Sequence, residues 1–357
     1  MADGGSKDGT LAKLSTLSIA YPQLQVLQNP ERITSCALNR GIRASAGEVI
    51  VRMDIHTSYA DDYIAECLAA LDETGADNVG GPWVARVAGG RVSEAVALSF
   101  ACRWVTGGGK AHDPAHEGPV DTVYLGCWRR EAFQRFGLFD ETLVRAQDSE
   151  FNFRTLLMGG RIWQTPRICS WYQPRKCVTH LFRQYGQFGY WKVATLKKHG
   201  QAASLRQLAP GAFVIALLTL LVVSLFVPAL VWAPFLLFGT YLSAGIFSAA
   251  GLCRRHARWD LLPYLPPVFA AYHFGFGCGY LRGVLDFLIL DRSPAAAMVL
   301  LTRTPEAQRP ADRGPCPQRF TLDVHARFEP FEARLRRSKA ALGRPRRPGA
   351  IRRVHPS

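Results

Sequence analysis

Charge is missing from one long stretch of this sequence. Between Arg206 and Arg254 lie 47 residues without a single Lys, Arg, Asp or Glu. At about 1.5 Å per residue they would make a helix of roughly 70 Å, against a hydrocarbon core of about 30 Å. Two spans fit and one does not, at about 209–229 and 232–252, with Pro228 and Pro234 marking the turn. A buried hairpin in a soluble core is the competing reading, and the complete absence of charge counts against it. The chain is expected to be an integral membrane protein.

C-x-x-C spacing is also absent, although there are nine cysteines (36, 67, 102, 127, 169, 177, 253, 278 and 316). That odd, scattered set excludes a zinc or disulfide framework and reads as reduced, mostly buried thiols in a cytosolic setting. No signal peptide is expected, since Met1 is followed at once by polar loop sequence. No internal repeat occurs. A folded basic face is missing too, despite a net charge of +15. Residues 1–200 carry 23 Lys and Arg against 20 Asp and Glu, whereas residues 291–357 carry 15 against 6. The basicity sits mostly in a Pro/Arg-rich tail, expected to be disordered and drawn to anionic lipid headgroups. No nucleic-acid partner is expected.

What is present begins abruptly. The chain opens "MADGGSKDGT", a glycine-rich, acid-bearing loop of the kind that follows a buried strand. Residues 29–45 then read as a helix, with Asn29 as N-cap, Pro30 at N1, and Ile33, Ala37, Leu38 and Ile42 at helical spacing. "GEVIVRMD" supplies a short strand, Val49 to Met53, ending on Asp54. A second helix follows, with Ile64, Cys67, Leu68 and Leu71 as its apolar face and Gly75 just past its end. Strand–loop–helix alternation indicates an α/β sheet, whose ligands bind at the carboxyl ends of strands. From Gly80 to Gly118 glycine-rich segments suggest a mobile active-site loop. "VDTVYLGCWRREAF" resumes as a strand and a helix start, and "AQDSEFNFRTLLMGG" as a helix with acids at its positive end. Residues 175–199 mix basic and aromatic side chains, as in a helix at a membrane surface. A third apolar segment, 261–289, carries Gly275, Gly279 and Gly283, a stripe suited to close helix packing.

Three short constellations carry chemistry. In Asp54-Ile55-His56 an extended backbone turns positions i and i+2 to one side, so carboxylate and imidazole could share a divalent cation. A capping Asp beside a surface His is the plainer alternative. Within Gln147-Asp148-Ser149-Glu150, Asp148 suits a general base for an attacking hydroxyl; simple N-capping is the alternative. The opening loop, with Asp3 followed by small residues, could let backbone approach a nucleotide, although Asp-Gly is common in any turn.

Taken in order and followed by membrane segments, these constellations resemble the family 2 glycosyltransferases. That resemblance implies the GT-A fold, an α/β nucleotide-diphospho-sugar transferase domain with a Rossmann-like mixed sheet, followed here by a helical membrane segment. More narrowly, "ADGGSKDGT", "NRGIRASAGEVIVRMDIHTSY", "NVGGPW", "VDTVYLGCWRREAF", "GLFDETLVRAQDSEFNFR" and "RQYGQFGYWK" resemble succinoglycan-type exopolysaccharide glucosyltransferases. By that resemblance Asp3 contacts the uracil end of a UDP-sugar. Asp54 lies near its ribose and diphosphate, and Asp54 with His56 holds Mg²⁺ or Mn²⁺. Asp148 is the base of a single inverting displacement. His56 stands where the family's second acid would be, and Gln147 where its Glu precedes the base.

The resemblance also divides the chain. Residues 1–200 form the catalytic domain, with an interfacial helix at 175–199. Residues 209–290 form the membrane region, and 291–357 the tail. Gln184-Tyr185-Gly186-Gln187 departs from the Q-x-x-R-W of processive synthases, so transfer of one sugar is expected, UDP-glucose being the favoured donor. The acceptor would be a lipid-linked glycan of the undecaprenyl diphosphate type, with Gln184, Gln187 and Trp191 as possible acceptor-side contacts. Location in the cytoplasmic membrane, catalytic domain in the cytosol, is expected. Arg254, Arg255 and Arg258 after the second span agree with the positive-inside rule, which favours a re-entrant or interfacial third segment. In the family a β-α-β stretch precedes the opening loop, so this chain is expected to lack its front end and to bind UDP weakly. The alternative function is an impaired remnant or a membrane-anchored binding subunit.

Overall fold

The computed structural model describes residues 1–300 apart from 86, 88 and 203. The opening loop leaves a short strand, β1 (Ala2–Asp3), which pairs in parallel with β2 (Leu27–Gln28) after helix α1 (Thr10–Ala20). Helix α2 runs Thr34–Ala44, so it starts four residues later than Asn29 as N-cap would require. Asn29 instead closes a turn, donating from Nδ2 to the Ile33 carbonyl at 3.1 Å, and Ile33 occupies the N-cap position in extended conformation.

Strand β3 (Val49–Val51) stops two residues short of the expected Met53 and is followed by β4 (Thr57–Tyr59). Helix α3 (Tyr63–Thr74) ends as the sequence implies, Gly75 adopting a φ of 58°. Its buried face is Tyr63, Cys67, Ala70 and Leu71; Ile64 and Leu68 of the expected stripe point outward. The stretch expected to be a loose loop is instead built from β5 (Asn78–Gly81), β6 (Val84–Ala85), α4 (Arg91–Ser99), α5 (Arg103–Thr106) and β7 (Gly118–Pro119). Then come β8 (Tyr124–Arg129), α6 (Arg130–Phe136), α7 (Gln147–Leu157), β9 (Ile162–Gln164) and β10 (Ser170–Tyr172).

The main sheet has the order β3-β8-β5-β9-β7, with β5 and β9 parallel and the other pairs antiparallel. Alternation along β8 covers both faces: Leu125 and Cys127 meet α3, while Trp128 joins Ile42, Phe133, Phe136, Phe139 and Phe151 on the other side. The β5–β8 register shifts between Val79 and Gly81, opposite Leu125 and Gly126, whose φ values are 65° and 108°. A side chain at 126 would meet the Trp128 ring at 2.4 Å, so this bulge requires glycine. A smaller sheet, β4-β10-β6, lies beside the first.

Helix α8 (Val178–His199) matches the expected 175–199 element and is followed by α9 (Ala209–Phe226) and α10 (Ala233–His256). Both α9 and α10 are long and apolar enough to cross a membrane. Their large apolar side chains, Leu225, Phe226, Phe235 and Phe247 among them, are exposed, which removes the reading as a buried core hairpin. Helix α11 (Leu265–Gly283) takes most of the third apolar segment and behaves differently. Leu265, Val268, Phe269, Ala271 and Tyr272 are buried in a core shared with α4, α8 and α10. The glycine stripe packs on α8: a Cβ at Gly279 would lie 1.9 Å from the Gly186 carbonyl oxygen, so the two backbones touch there. After a π-helical turn at Val284–Ile289, a short helix α12 (Ala296–Val299) docks back on α8. Residues 291–300 of the expected disordered tail are therefore partly structured; 301–357 lie outside the described residues.

Candidate active site

Each candidate acid stands at the end of an element, held by partners of a different kind. Asp3 is the last residue of β1. Its Oδ1 accepts from the Gly5 and Ser6 amides at 2.9 Å each, and its Oδ2 from the Ser6 hydroxyl at 2.6 Å. The Ser6 hydroxyl, with the loop amides, pulls the carboxyl below its usual range against the effect of partial burial. The loop is closed on itself.

The expected extended D-x-H segment is not formed. β3 ends at Val51, and beyond Asp54 the chain turns through Ile55 and His56, the Thr57 amide donating to the Asp54 carbonyl at 3.0 Å, so alternation does not carry to His56. Arg52 is buried. Its Nε and Nη2 donate to Asp54 Oδ1 and Oδ2, both at 2.9 Å, a bidentate pair. Burial works against the guanidinium charge, but Asp54 and then Asp148 and Tyr124 more than offset it, and Arg52 stays firmly protonated. The His56 Nε2 lies 4.0 Å from Asp54 Oδ2. Two bonds of about 2.1 Å would bridge that gap only at a wide angle between them, and both Asp54 oxygens already accept from Arg52, so the two side chains would have to shift to share one divalent cation. No group of three or more His, Cys, Asp and Glu that could hold a metal occurs among the described residues. A cation here would draw its other ligands from water and substrate phosphates, as Mg²⁺ commonly does.

Asp148 is the second residue of α7, not its cap. Ala146, at φ 62°, turns the chain into the helix, and Asp148 Oδ1 accepts from the Ser149 amide at 2.8 Å. The next acid, Glu150, is fully buried, with Arg154 at 3.0 Å, Lys198 at 2.9 Å and His199 at 2.9 Å. Burial pushes its carboxyl up, but Arg154 and Lys198 dominate and hold it below the usual range. Upstream, Asn39 of α2 clamps the loop leading to α7. Its Nδ2 donates to the Phe139 carbonyl and to Glu141, each at 2.8 Å, and its Oδ1 accepts from the Phe139 amide at 3.0 Å.

One wall beside Asp54 is aromatic. Thr57 Oγ1 and the Tyr124 hydroxyl are 2.7 Å apart. The Tyr124 ring stacks on Trp83 at 5.0 Å, and Trp83 stacks on His112 at 5.8 Å. Burial, with a smaller push from Arg206, takes His112 down to about 4, so the ring is neutral at pH 7.

Arg52 is paired with Asp54 and lies near enough to Asp148 for that carboxylate to favour its charge, His56 lies beside Asp54, and Asp3 belongs to the small β1–β2 sheet. Gln184 accepts from Arg175 Nε at 2.8 Å. Gln187 and Trp191 serve the chain itself: Gln187 Nε2 donates to the Leu300 carbonyl at 2.7 Å and Trp191 Nε1 to the Met298 carbonyl at 3.0 Å. Sequence reasoning missed Arg52, Asn39, Glu150 and Lys192. For Arg52 the signal was available, since the i, i+2 rule that pairs Asp54 with His56 pairs Arg52 with Asp54.

A family model, glycosyl transferase family 2, matches residues 1–117. The succinoglycan biosynthesis protein ExoA of Rhizobium meliloti (strain 1021) is 32% identical over 299 residues, covering 80% of this chain and 86% of that protein. The chain belongs to glycosyltransferase family 2. It is a glycosyltransferase with a GT-A domain followed by a helical region. A second relative in Methanococcus voltae is dolichyl N-acetyl-alpha-D-glucosaminyl phosphate 3-beta-D-2,3-diacetamido-2,3-dideoxy-beta-D-glucuronosyltransferase. It is 24% identical over 234 residues, 63% of this chain and 71% of that protein. The solved structure of S. aureus TarS, residues 1–349, covers 79% of this chain and 81% of its own at 15% identity, with a TM-score of 0.36. That last likeness is too loose to carry an argument.

Proposed function

We propose that this glycosyltransferase moves one sugar, with inversion, from a UDP-sugar to a lipid-linked glycan during cell-surface polysaccharide synthesis. UDP-glucose is the favoured donor, an undecaprenyl diphosphate-linked glycan the favoured acceptor, and α9 and α10 cross the cytoplasmic membrane. The observation that carries the reading is Arg52: paired with Asp54 at 2.9 Å, it is also held in its charged form by Asp148. That link supports reading Asp54 as the diphosphate end of the site and Asp148, on α7, as its base. The names of the two relatives, one a succinoglycan biosynthesis protein and one a transferase to a lipid-phosphate sugar, support the acceptor class.

In this mechanism Asp148 accepts the proton of the acceptor hydroxyl as its oxygen bonds to the anomeric carbon. The bond from that carbon to the diphosphate oxygen breaks, and its electron pair leaves with UDP. Arg52 stands by to offset charge near the diphosphate, the electrostatic contribution expected to matter most. Asp54 and His56 would hold Mg²⁺ or Mn²⁺, which when bound supplies charge neutralisation to the leaving diphosphate.

Membranes containing the full chain should transfer label from UDP-[¹⁴C]glucose into organic-extractable glycolipid. In Asp148→Asn the rate should fall by about 10²–10⁴-fold, the usual worth of a general base. Unchanged transfer in that variant removes Asp148 from the role. Label accepted from another UDP-sugar but not from UDP-glucose replaces the donor.

A further inference from the structure

Helix α8 reaches the turn that carries Asp148 through three cationic side chains. Lys192 Nζ donates to Ser149 Oγ, while Lys198 and His199 converge on Glu150 Oε1 at 2.9 Å each. Ser149 in turn gives its amide to Asp148 Oδ1 at 2.8 Å. Lys198 and His199 serve a carboxylate that is fully buried and already paired with Arg154, which is a bracing role. Lys192 does something different. It is half-buried and bonds to a neutral hydroxyl, next in sequence to the proposed base.

We propose that Lys192 is the positioning residue of Asp148, fixing the first turn of α7 through Ser149 and setting a cation beside the carboxylate. The inference rests on the reading of Asp148 as the base. It ties the catalytic turn to α8, the helix that packs backbone-to-backbone on α11 and leads through residues 200–208 into α9.

The charged groups that face Lys192 come from three elements. Asp148 lies on α7, Asp121 on the segment before β8, and Arg206 on the turn before α9, where Arg206 is ion-paired with Asp121. Burial favours the neutral amine; Asp148 and Asp121 oppose it, Arg206 adds to it, and Lys192 is pushed down to about 8. The sign follows: below pH 8 the ammonium is present to hold Ser149, and above pH 8 it is progressively lost. A purely structural lysine, present for its apolar stem, would give no such pH response.

Two measurements on the full chain in lipid nanodiscs test this. The first needs no activity. Pulsed acylation with acetic anhydride across pH 6–10, read by peptide mass mapping, should place the Lys192 midpoint near 8. That midpoint should move lower in Asp148→Asn, which removes a carboxylate that favours the ammonium. An unmoved midpoint overturns the link between the two groups whether or not Asp148 is the base. The second is the pH profile of label transfer from UDP-[¹⁴C]glucose. Lys192→Met should lose between about 10- and 100-fold in kcat, as expected for a slightly misplaced group, with KM for UDP-glucose nearly unchanged. Lys192→Arg should keep most of kcat and extend activity to higher pH. If Lys192→Arg loses as much as Lys192→Met, or keeps the parent's alkaline limb, the positioning role is wrong. Full activity in Asp148→Asn with a shifted acylation midpoint would instead fault the base assignment alone.

Discussion

Asp3 is held by atoms two and three residues away, whereas the turn that carries Asp148 is held by Lys192, Lys198 and His199, forty-three to forty-nine residues on. Asn39, about a hundred residues back in sequence, clamps the approach to that turn. One candidate acid is thus held locally and the other is fixed by the tertiary structure. A self-closed loop keeps its shape when its surroundings shift, and it suits a site that must admit a nucleotide. A base has to meet a hydroxyl and a carbon within tenths of an ångström, and long-range bracing supplies that precision. If this contrast is right, substitutions at the two places should separate stability from binding.

The largest effect is expected at Glu150. Glu150→Ala would leave Arg154, Lys198 and His199 around a missing carboxylate, and breaking a buried ion pair from one side costs about 3–5 kcal/mol. Thermal or denaturant unfolding of the detergent-solubilised chain reads this directly. The Glu150 carboxyl is held below its ordinary 4.5, so its stabilising contribution is complete above that pH and fades as pH falls through the lowered value. The gap between parent and variant should shrink correspondingly below pH 4.5. A small, pH-independent gap would mean that α7 is not braced through this group. Asn39→Ala should come next, at about 1–3 kcal/mol, because it strands the buried Phe139 amide and carbonyl without partners. Loss of stability should be accompanied by loss of kcat, since the clamped loop leads into the Asp148 turn.

The contrast also accounts for what could be read from the sequence. Local signals were legible: Gly75 ending α3 and the charge-free stretch becoming α9 and α10. Where Asn29 looked like an N-cap, the backbone preferred a turn closed on Ile33, since a cap signal competes with every other turn an Asn can make. The outward Ile64 and Leu68 reflect how a helix's buried face is chosen by what it packs on, here Val79 and Cys127, rather than by its own period. Arg52 was readable by alternation. Lys192, Asn39 and Glu150 were not, because their meaning depends on partners forty or more residues away, or on burial that no spacing encodes. The glycine stripe at 275, 279 and 283 announced close packing but not its partner, which is α8.

The smallest stability effect is expected at Asp3, and it is the sharpest test of the comparison. Asp3→Asn keeps an oxygen for the Gly5 and Ser6 amides and loses the charge and one acceptor for the Ser6 hydroxyl. The site is partly exposed and its bonds are local, so unfolding should change by under about 1 kcal/mol. Donor handling should change more, because the loop's shape and charge are what a nucleotide would meet. KM for UDP-glucose should rise several-fold while kcat stays near the parent's, the signature of lost uniform binding. The reverse split, an unchanged KM with a reduced kcat, would place Asp3 among the groups that act on the transition state. It would also mean that the Asp3 loop and the Asp148 turn are coupled through the fold rather than held independently.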